Sequence, residues 1–215
     1  GLGKVSEKGI YDTFRDRIMF PIMDTAGRPI AFSGRILHPD EKSAKYVNSP
    51  DTPLFNKSDV LFGLDKAKNF IRKYNFTTLV EGQFDVVMMH QAGFRNTVGV
   101  SGTALSESLM GGNGVNNLGL VKRLSDNLVL AFDADNAGEK AAKRSAHIAL
   151  GLGMDVKVVS ITGGKDPAEF LQTNGKEAWS ALLRDAKHVI EFTTSKIMSA
   201  SGDAREQGRR IQSEV

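Results

Sequence analysis

From residue 76 onward, short apolar runs alternate with helical patterns, and no other feature restricts the fold of this chain as tightly. "FTTLV" (76–80), "NTVGV" (96–100), "LVLAF" (128–132) and "DVKVVSI" (155–161) each have strand length and carry mainly β-branched or large apolar residues. Between them, "FDVVMMHQAG" (84–93) reads as a helix with Phe84, Val87 and Met88 on one face. "AGEKAAKRSAHIALGLG" (137–153) reads as a longer helix closed by a glycine signal, and a Gly/Asn-rich loop interrupts at 111–119. Strands alternating with helices at this spacing form βαβ units, hence a parallel sheet. Beyond the fourth strand, "PAEFLQTNGKEAWSALLRDAKHVIEFTTSKIM" reads as three helical segments that fade into a polar tail.

Ligands of an open parallel sheet sit just beyond the carboxyl ends of its strands. Three of the four strands deliver acids there: Glu81 after the first, Asp133 and Asp135 after the third, and Asp166 after "DVKVVSI" through "TGGK". Extended backbone places Asp133 and Asp135 on one side, with small Ala134 between them. Taken singly, each acid has an ordinary structural reading: Asp135 as the N-cap of the helix that follows, Glu81 as a solvent-facing carboxylate. Together they are a cluster of like charge, which costs stability unless protons or cations neutralise it. Oxygen ligands without His or Cys favour Mg²⁺ or Mn²⁺ over zinc. His38, His90, His147 and His188 are scattered and unpaired in the pattern, and Met88 and Met89 read as core.

The front of the chain has a different texture. "RIMFPI" (17–22) and "IAFSGRIL" (30–37) flank Asp, Thr, Gly and Pro and read as an antiparallel hairpin. Residues 38–59 show no clean period and read as a long ordered loop, and "VLFGLDKAKNFIRKY" (60–74) carries helical spacing. Residues 1–73 hold 13 Lys and Arg against 9 Asp and Glu, whereas residues 74–215 hold 15 against 16. A basic front beside a slightly acidic remainder suits a polyanion-binding face next to an acidic site. The chain has no Cys, which removes disulfides and Cys-ligated zinc and fits a reducing cytoplasm. No run approaches membrane-spanning length.

Asp-x-Asp after a strand also occurs in dehalogenase-type phosphatases and many glycosyltransferases, so it does not decide the family alone. The earlier Glu-Gly discriminates better. "LVEGQFDVV" followed by "VLAFDADNAGEKAA" resembles the TOPRIM domain shared by primases, topoisomerases and some nucleases. "YDTFRDRIMFPIMDTAGRPIAFSGRIL", "AKYVNSPDTPLFNKSDVLFGLDKAK" and "SGTAL" (101–105) resemble the RNA polymerase core of bacterial DnaG-type DNA primase over most of residues 10–195. The resemblance implies an α/β fold: a TOPRIM-type parallel-sheet domain with helices on both faces (74–173), preceded by a small basic α+β subdomain (1–73) and followed by C-terminal helices (174–215).

The resemblance implies synthesis of RNA primers from ribonucleoside triphosphates on a single-stranded DNA template, at the cytoplasmic replication fork. By position, Glu81 matches a general base or metal ligand, and Asp85, Asp133, Asp135 and Asp166 match acids that hold or support Mg²⁺ or Mn²⁺. Arg35, Lys45 and Lys57 match basic positions for template or nucleotide phosphates, with Arg15, Arg17, Tyr46 and Asn48 in matching stretches. Family members add an amino-terminal zinc module, further polymerase core and a domain that binds the replicative helicase. With no Cys and a start about ten residues before "YDTFRDR", the chain reads as a shortened core that holds no zinc and primes weakly or not at all alone. A TOPRIM nuclease, or a nucleic-acid-binding module without synthesis, are the alternatives; topoisomerase chemistry needs a nucleophilic Tyr on a separate domain. One departure stands out. The usual pattern has a second acid directly after the proline of "GGKDPAEF", where this chain has Ala168, with Glu169 one residue later.

Overall fold

A computed structural model of the chain describes residues 2–7, 9–38, 43–100, 117–162, 164–199 and 203–214. The four apolar runs pair as expected into a sheet. Strands β6 (Thr77–Val80), β7 (Thr97–Gly99), β8 (Asn127–Leu130) and β9 (Asp155–Val158) are parallel, and β10 (Lys187–His188) adds an antiparallel edge, in the order β10-β9-β8-β6-β7. β8 and β9 end earlier than their apolar runs, although Ala131 and Val159 still donate to Leu79 and Leu130 of neighbouring strands.

Alternation along the strands divides two cores. Leu79, Val98, Leu128, Leu130, Val156 and Val158 face helices α1 (Leu64–Tyr74), α3 (Asn117–Lys122) and α4 (Asn136–Gly151). Val80, Val129, Ala131 and Val159 face α2 (Gln83–Gln91) and α5 (Pro167–Arg184), where Trp179 is wholly buried. The buried positions of α2 are Gln83, Asp85, Val86 and Met89. Its inward face is therefore rotated from the one the spacing suggested: Val87 is exposed and Met88 only partly packed, because Phe84 turns toward the front sheet instead. α5 breaks at Gly175, whose φ of 80° a side chain would resist, so two helical pieces precede α6 (Val189–Ser199), as the pattern indicated. The polar tail is also helical: α7 (Ala204–Glu214) starts where Asp203 Oδ1 accepts from Glu206 N–H.

In front, β3 (Arg17–Met23) and β4 (Pro29–Ile36) form the expected antiparallel pair. The described part of the 38–59 stretch is not all loop: β5 (Tyr46–Asn48) extends the sheet on the far side of β4. With three residues and no hydrophobic alternation, β5 leaves no trace in a periodicity search. The same holds for the hairpin of β1 (Gly3–Ser6) and β2 (Gly9–Asp12), exposed at every residue. Register defines one face of the three-stranded sheet. Phe20, Ser33 and Asn48 lie across from one another, as do Ile18, Arg35 and Tyr46. Phe62 exchanges two backbone hydrogen bonds with Gly99, so the chain leaving this sheet covers the β7 edge of the parallel one. "SGTAL" and residues 111–116 of the Gly/Asn-rich stretch lie outside the described residues; residues 117–119 open α3.

Candidate active site between the acidic strand ends and the basic sheet

The chain leaves β6 toward β7 on one side and then crosses to β8 on the other, so strand order reverses between β6 and β8. A crevice forms at such a switch point, and its two strands lead into Glu81 and Asp133. They touch: the Asp133 N–H donates to Glu81 Oε1 at 3.2 Å. Gly138 of "NAGE" makes this approach possible. A Cβ there would lie 2.2 Å from the Asp133 carbonyl oxygen and 2.8 Å from Glu81 Oε1.

The other acids arrive through helix starts. Asp85 is buried in the first turn of α2; its Oδ2 accepts from Gly82 N–H at 3.0 Å and its Oδ1 from Ala168 N–H at 3.1 Å, stitching α2 to α5. Asp166 caps α5, accepting from Glu169 N–H at 2.7 Å. Asp135 caps α4, accepting from Gly138 N–H at 2.8 Å. The backbone bends at Ala134 and Asp135, so Asp135 lines a separate 540 Å³ cavity between α4 and α6, to which Asp133 also contributes. Glu169 folds back to accept from Lys165 N–H at 2.6 Å, so one of its oxygens secures the loop before α5.

Glu81, Asp85, Asp133 and Asp166 share one wall of a 770 Å³ cleft, and Arg35, Lys45, Tyr46 and Asn48 from the front sheet form the opposite wall. Lys165, Gln172, Gln83 and Phe84 also line it. Gln83 and Phe84 carried no signal of their own, although they sit inside the Glu-Gly-x-x-Asp segment. Lys57, Arg15 and Arg17 do not line the cleft. Lys57 lies in a 3₁₀ turn (Lys57–Asp59), Arg15 stacks 4.9 Å over Tyr11, and Arg17 donates to the carbonyls of Gly34 and Ala44.

Burial pushes the Asp133 carboxyl up to about 7, helped by Glu81, Asp85, Asp166 and Asp135 around it. Burial and Asp166 raise Asp85 to about 6, and burial also raises Glu81, against the stabilising Asp133 N–H. Asp133 Oδ1 is sealed from solvent without a hydrogen-bond partner, an arrangement a cation would satisfy. Yet among the described residues no three acids converge closely enough to cage an ion alone. Hydrogen bonds to backbone N–H groups also engage most of these carboxylates. They occupy both oxygens of Asp85 and one each of Glu81, Asp135 and Asp166. The donor set suits an ion that takes one or two carboxylates and completes its shell with ligand phosphates, the habit of Mg²⁺.

A parallel sheet with Glu-Gly after its first strand and Asp-x-Asp after its third, fronted by a basic antiparallel sheet, defines a toprim-type catalytic unit. Comparison with known proteins agrees. The family described as "DNA primase catalytic core, N-terminal domain" matches residues 1–68, and "Toprim-like" matches residues 78–171. The DNA primase of Clostridium acetobutylicum is 38% identical over 199 residues, covering 91% of this chain and 31% of that protein. That of Synechococcus elongatus is 42% identical over 197 residues, covering 89% of this chain and 27% of that protein. Among solved structures, the RNA polymerase domain of Mycobacterium tuberculosis primase superposes with TM-score 0.84 at 32% identity, covering 99% of this chain and 69% of that one. The Escherichia coli primase catalytic core does so with TM-score 0.80 at 31% identity, covering 100% and 69%. This chain belongs to the bacterial DnaG-type DNA primases, within their RNA polymerase core. It spans about a third of the length of the curated relatives it matches. Among the described residues, no helix is long and apolar enough to cross a membrane.

Proposed function

We propose that this chain forms the catalytic cleft of a primase, joining ribonucleotides on single-stranded DNA at the cytoplasmic replication fork. One observation carries the reading: the strand-end acids and the basic face of the front sheet wall the same cleft. A neighbour of 30% identity and TM-score 0.81 is a DnaG catalytic domain bound to single-stranded DNA, which supports a template at a surface of this kind.

In this reading Glu81 and Asp133 hold a divalent ion, with the second oxygen of Asp166 supporting it from the same cleft and Asp85 fixing the wall behind, while Asp135 acts only from the neighbouring cavity to which Asp133 also contributes. Bound there, Mg²⁺ or Mn²⁺ would supply Lewis acidity to the primer 3′-hydroxyl and the triphosphate. Glu81 has one oxygen left once Oε1 accepts from Asp133, so it serves either as a ligand of that ion or as the general base for the hydroxyl proton, a task that its raised pKa suits. Arg35, Lys45 and Lys165 bind phosphates, and Tyr46 and Asn48 shape the template side. The zinc module and the replicative helicase act through parts of the longer relatives beyond this stretch.

The test is incubation with DNA template, annealed RNA primer, ribonucleoside triphosphates and Mg²⁺, scoring RNA extension and DNA cleavage together. Because turnover by this stretch alone is expected to be slow, Mn²⁺-dependent nucleotide binding is measured in parallel. Loss of that binding in Asp133→Asn is the expected result. Metal-dependent DNA cleavage, or nucleotide binding indifferent to metal and to Asp133, would overturn the reading.

A further inference from the structure

Arg35 is held by aromatic rings rather than by acids, and one ring comes from the other half of the molecule. Its guanidinium carbon lies 4.2 Å from the Phe84 ring centroid and 6.0 Å from that of Tyr46. Tyr46 is its cross-strand neighbour on β5; Phe84 belongs to the first turn of α2, between Glu81 and Asp85. Among the described residues, no other cation of the cleft wall stacks on a ring of the acid-bearing helix.

The ring is itself fixed. Phe84 packs edge-on against Phe20 at 5.3 Å and 72°. Beside it, Gln83 Nε2 donates to Ser33 Oγ at 3.0 Å, and the two side chains are only 2% and 0% exposed. Phe20 and Ser33 are cross-strand partners two residues along from Ile18 and Arg35. The first turn of α2 is thus clamped to the sheet face that carries Arg35, by one polar and one aromatic contact.

The consequence concerns the donors of Arg35. A guanidinium interacts with a ring through its face, so its in-plane N–H groups stay available. Among the described residues this guanidinium has no hydrogen bond and no ion pair, although the acids of the cleft lie across from it. An arginine free to swing would settle on such a carboxylate, removing a phosphate donor and neutralising an acid together. We infer that Phe84 is a positioning residue: its ring holds the Arg35 guanidinium away from the strand-end acids, with its donors directed to a phosphate in the cleft. The inference rests on the reading of Arg35 as a phosphate-binding residue of the proposed primase cleft. The phosphate belongs either to single-stranded DNA or to a ribonucleoside triphosphate.

The experiment measures binding of a short fluorescein-labelled oligothymidylate and, separately, of ATP with Mn²⁺ to the full chain; the arm that responds identifies the source of the phosphate. Phe84→Leu keeps apolar packing against Phe20 but removes the π face, and is expected to weaken one of the two by about 3- to 10-fold. Its salt dependence stays as in the unaltered chain, because the charge is kept, whereas Arg35→Ala lowers the slope for DNA by about 0.7 if the phosphate is the template's. Phe84→Tyr restores affinity, and Phe84→Leu adds nothing on an Arg35→Ala background. Further loss on that background, or failure of Phe84→Tyr to rescue, would show that Phe84 acts only through folding and overturn the inference. If Arg35→Ala leaves both ligands unaffected, the reading of Arg35 falls and the inference with it. If Arg35→Ala weakens binding while Phe84→Leu does not, the inference alone falls.

Discussion

Asp133→Asn should make the metal-free protein more stable, and saturating metal should narrow or reverse that gain. The folded-state carboxyl titrates at about 7, against an ordinary 3.8. Below the lower value both states are protonated and the residue contributes nothing. As pH rises from about 4 to about 7 the unfolded chain releases its proton first, so folding loses free energy, and above about 7 the loss is complete. At 1.36 kcal/mol per pH unit the ceiling is about 4 kcal/mol. Asp133 is half-buried and opens onto a solvent-filled cleft, and screening reduces this to about 1–2 kcal/mol. Asn keeps the shape and removes the charge.

In EDTA at about pH 8, Asp133→Asn should therefore melt about 2–8 °C higher than the unaltered chain, given the usual 2–4 °C per kcal/mol at this size. The gap should shrink as pH falls from about 7 and close near pH 3, below the ordinary value of 3.8, where the carboxyl is neutral in both states. With saturating Mn²⁺, the unaltered chain gains stability through linked binding and the variant gains less, so the gap narrows or inverts. Melts followed by circular dichroism at both pH values, with and without Mn²⁺, supply every comparison. If the variant melts at or below the unaltered chain in EDTA at pH 8, the acid cluster is not strained and the electrostatic argument for a cation there is wrong.

Lys45→Ala should reduce the slope of log affinity against log salt for single-stranded DNA by about 0.7, whereas Lys57→Ala, off the cleft, should change it by less than half as much; equal effects would count against the cleft as the binding surface. Glu169→Ala removes the acceptor of the Lys165 N–H and should cost about 0.5–2 kcal/mol in urea denaturation while leaving Mn²⁺ affinity unchanged; a weaker Mn²⁺ isotherm would show that Glu169 replaces the acid missing at Ala168. Trp179→Ala empties the site between Phe94 and Phe170 and should cost about 3–5 kcal/mol, read from the shift of the urea midpoint by circular dichroism.

The parallel sheet is legible because β6, β7 and β8 are buried on both faces and read as nearly continuous runs of apolar and β-branched residues, while β9 alternates exposed Asp155 and Lys157 with buried Val156 and Val158 and shows the two-residue period instead. The elements that escaped are those whose residues answer to neighbours rather than to a period. β5 exists because Tyr46, Val47 and Asn48 find an open edge on β4, and nothing in those three residues announces it. The inward face of α2 was misjudged for a related reason. Phe84 is the most hydrophobic residue of its segment, and periodicity assigns such a residue to the nearest core, but here it serves a second sheet that folds over the helix start. A pattern within one element cannot show an interface between two.

The acids raise a subtler point about structural and functional readings of one residue. In a βαβ unit the residue that ends the strand is close to the residue that caps the next helix, so an acid placed there for capping is also placed at the ligand crevice. Capping takes one oxygen. Asp135 and Asp166 each spend Oδ1 on a helix N–H, and Glu81 spends Oε1 on Asp133, which fixes these three carboxylates in orientation while a second oxygen of each remains. Asp85 alone spends both, which marks it as a strut between α2 and α5. The sequence therefore could not separate cap from ligand because the fold does not separate them. Local hydrogen bonds hold Glu81, Asp85, Asp135 and Asp166 in place against the repulsion of the cluster. The Asp133 carboxylate meets that repulsion without one, and this contrast is why Asp133 is the acid whose charge the stability experiment removes.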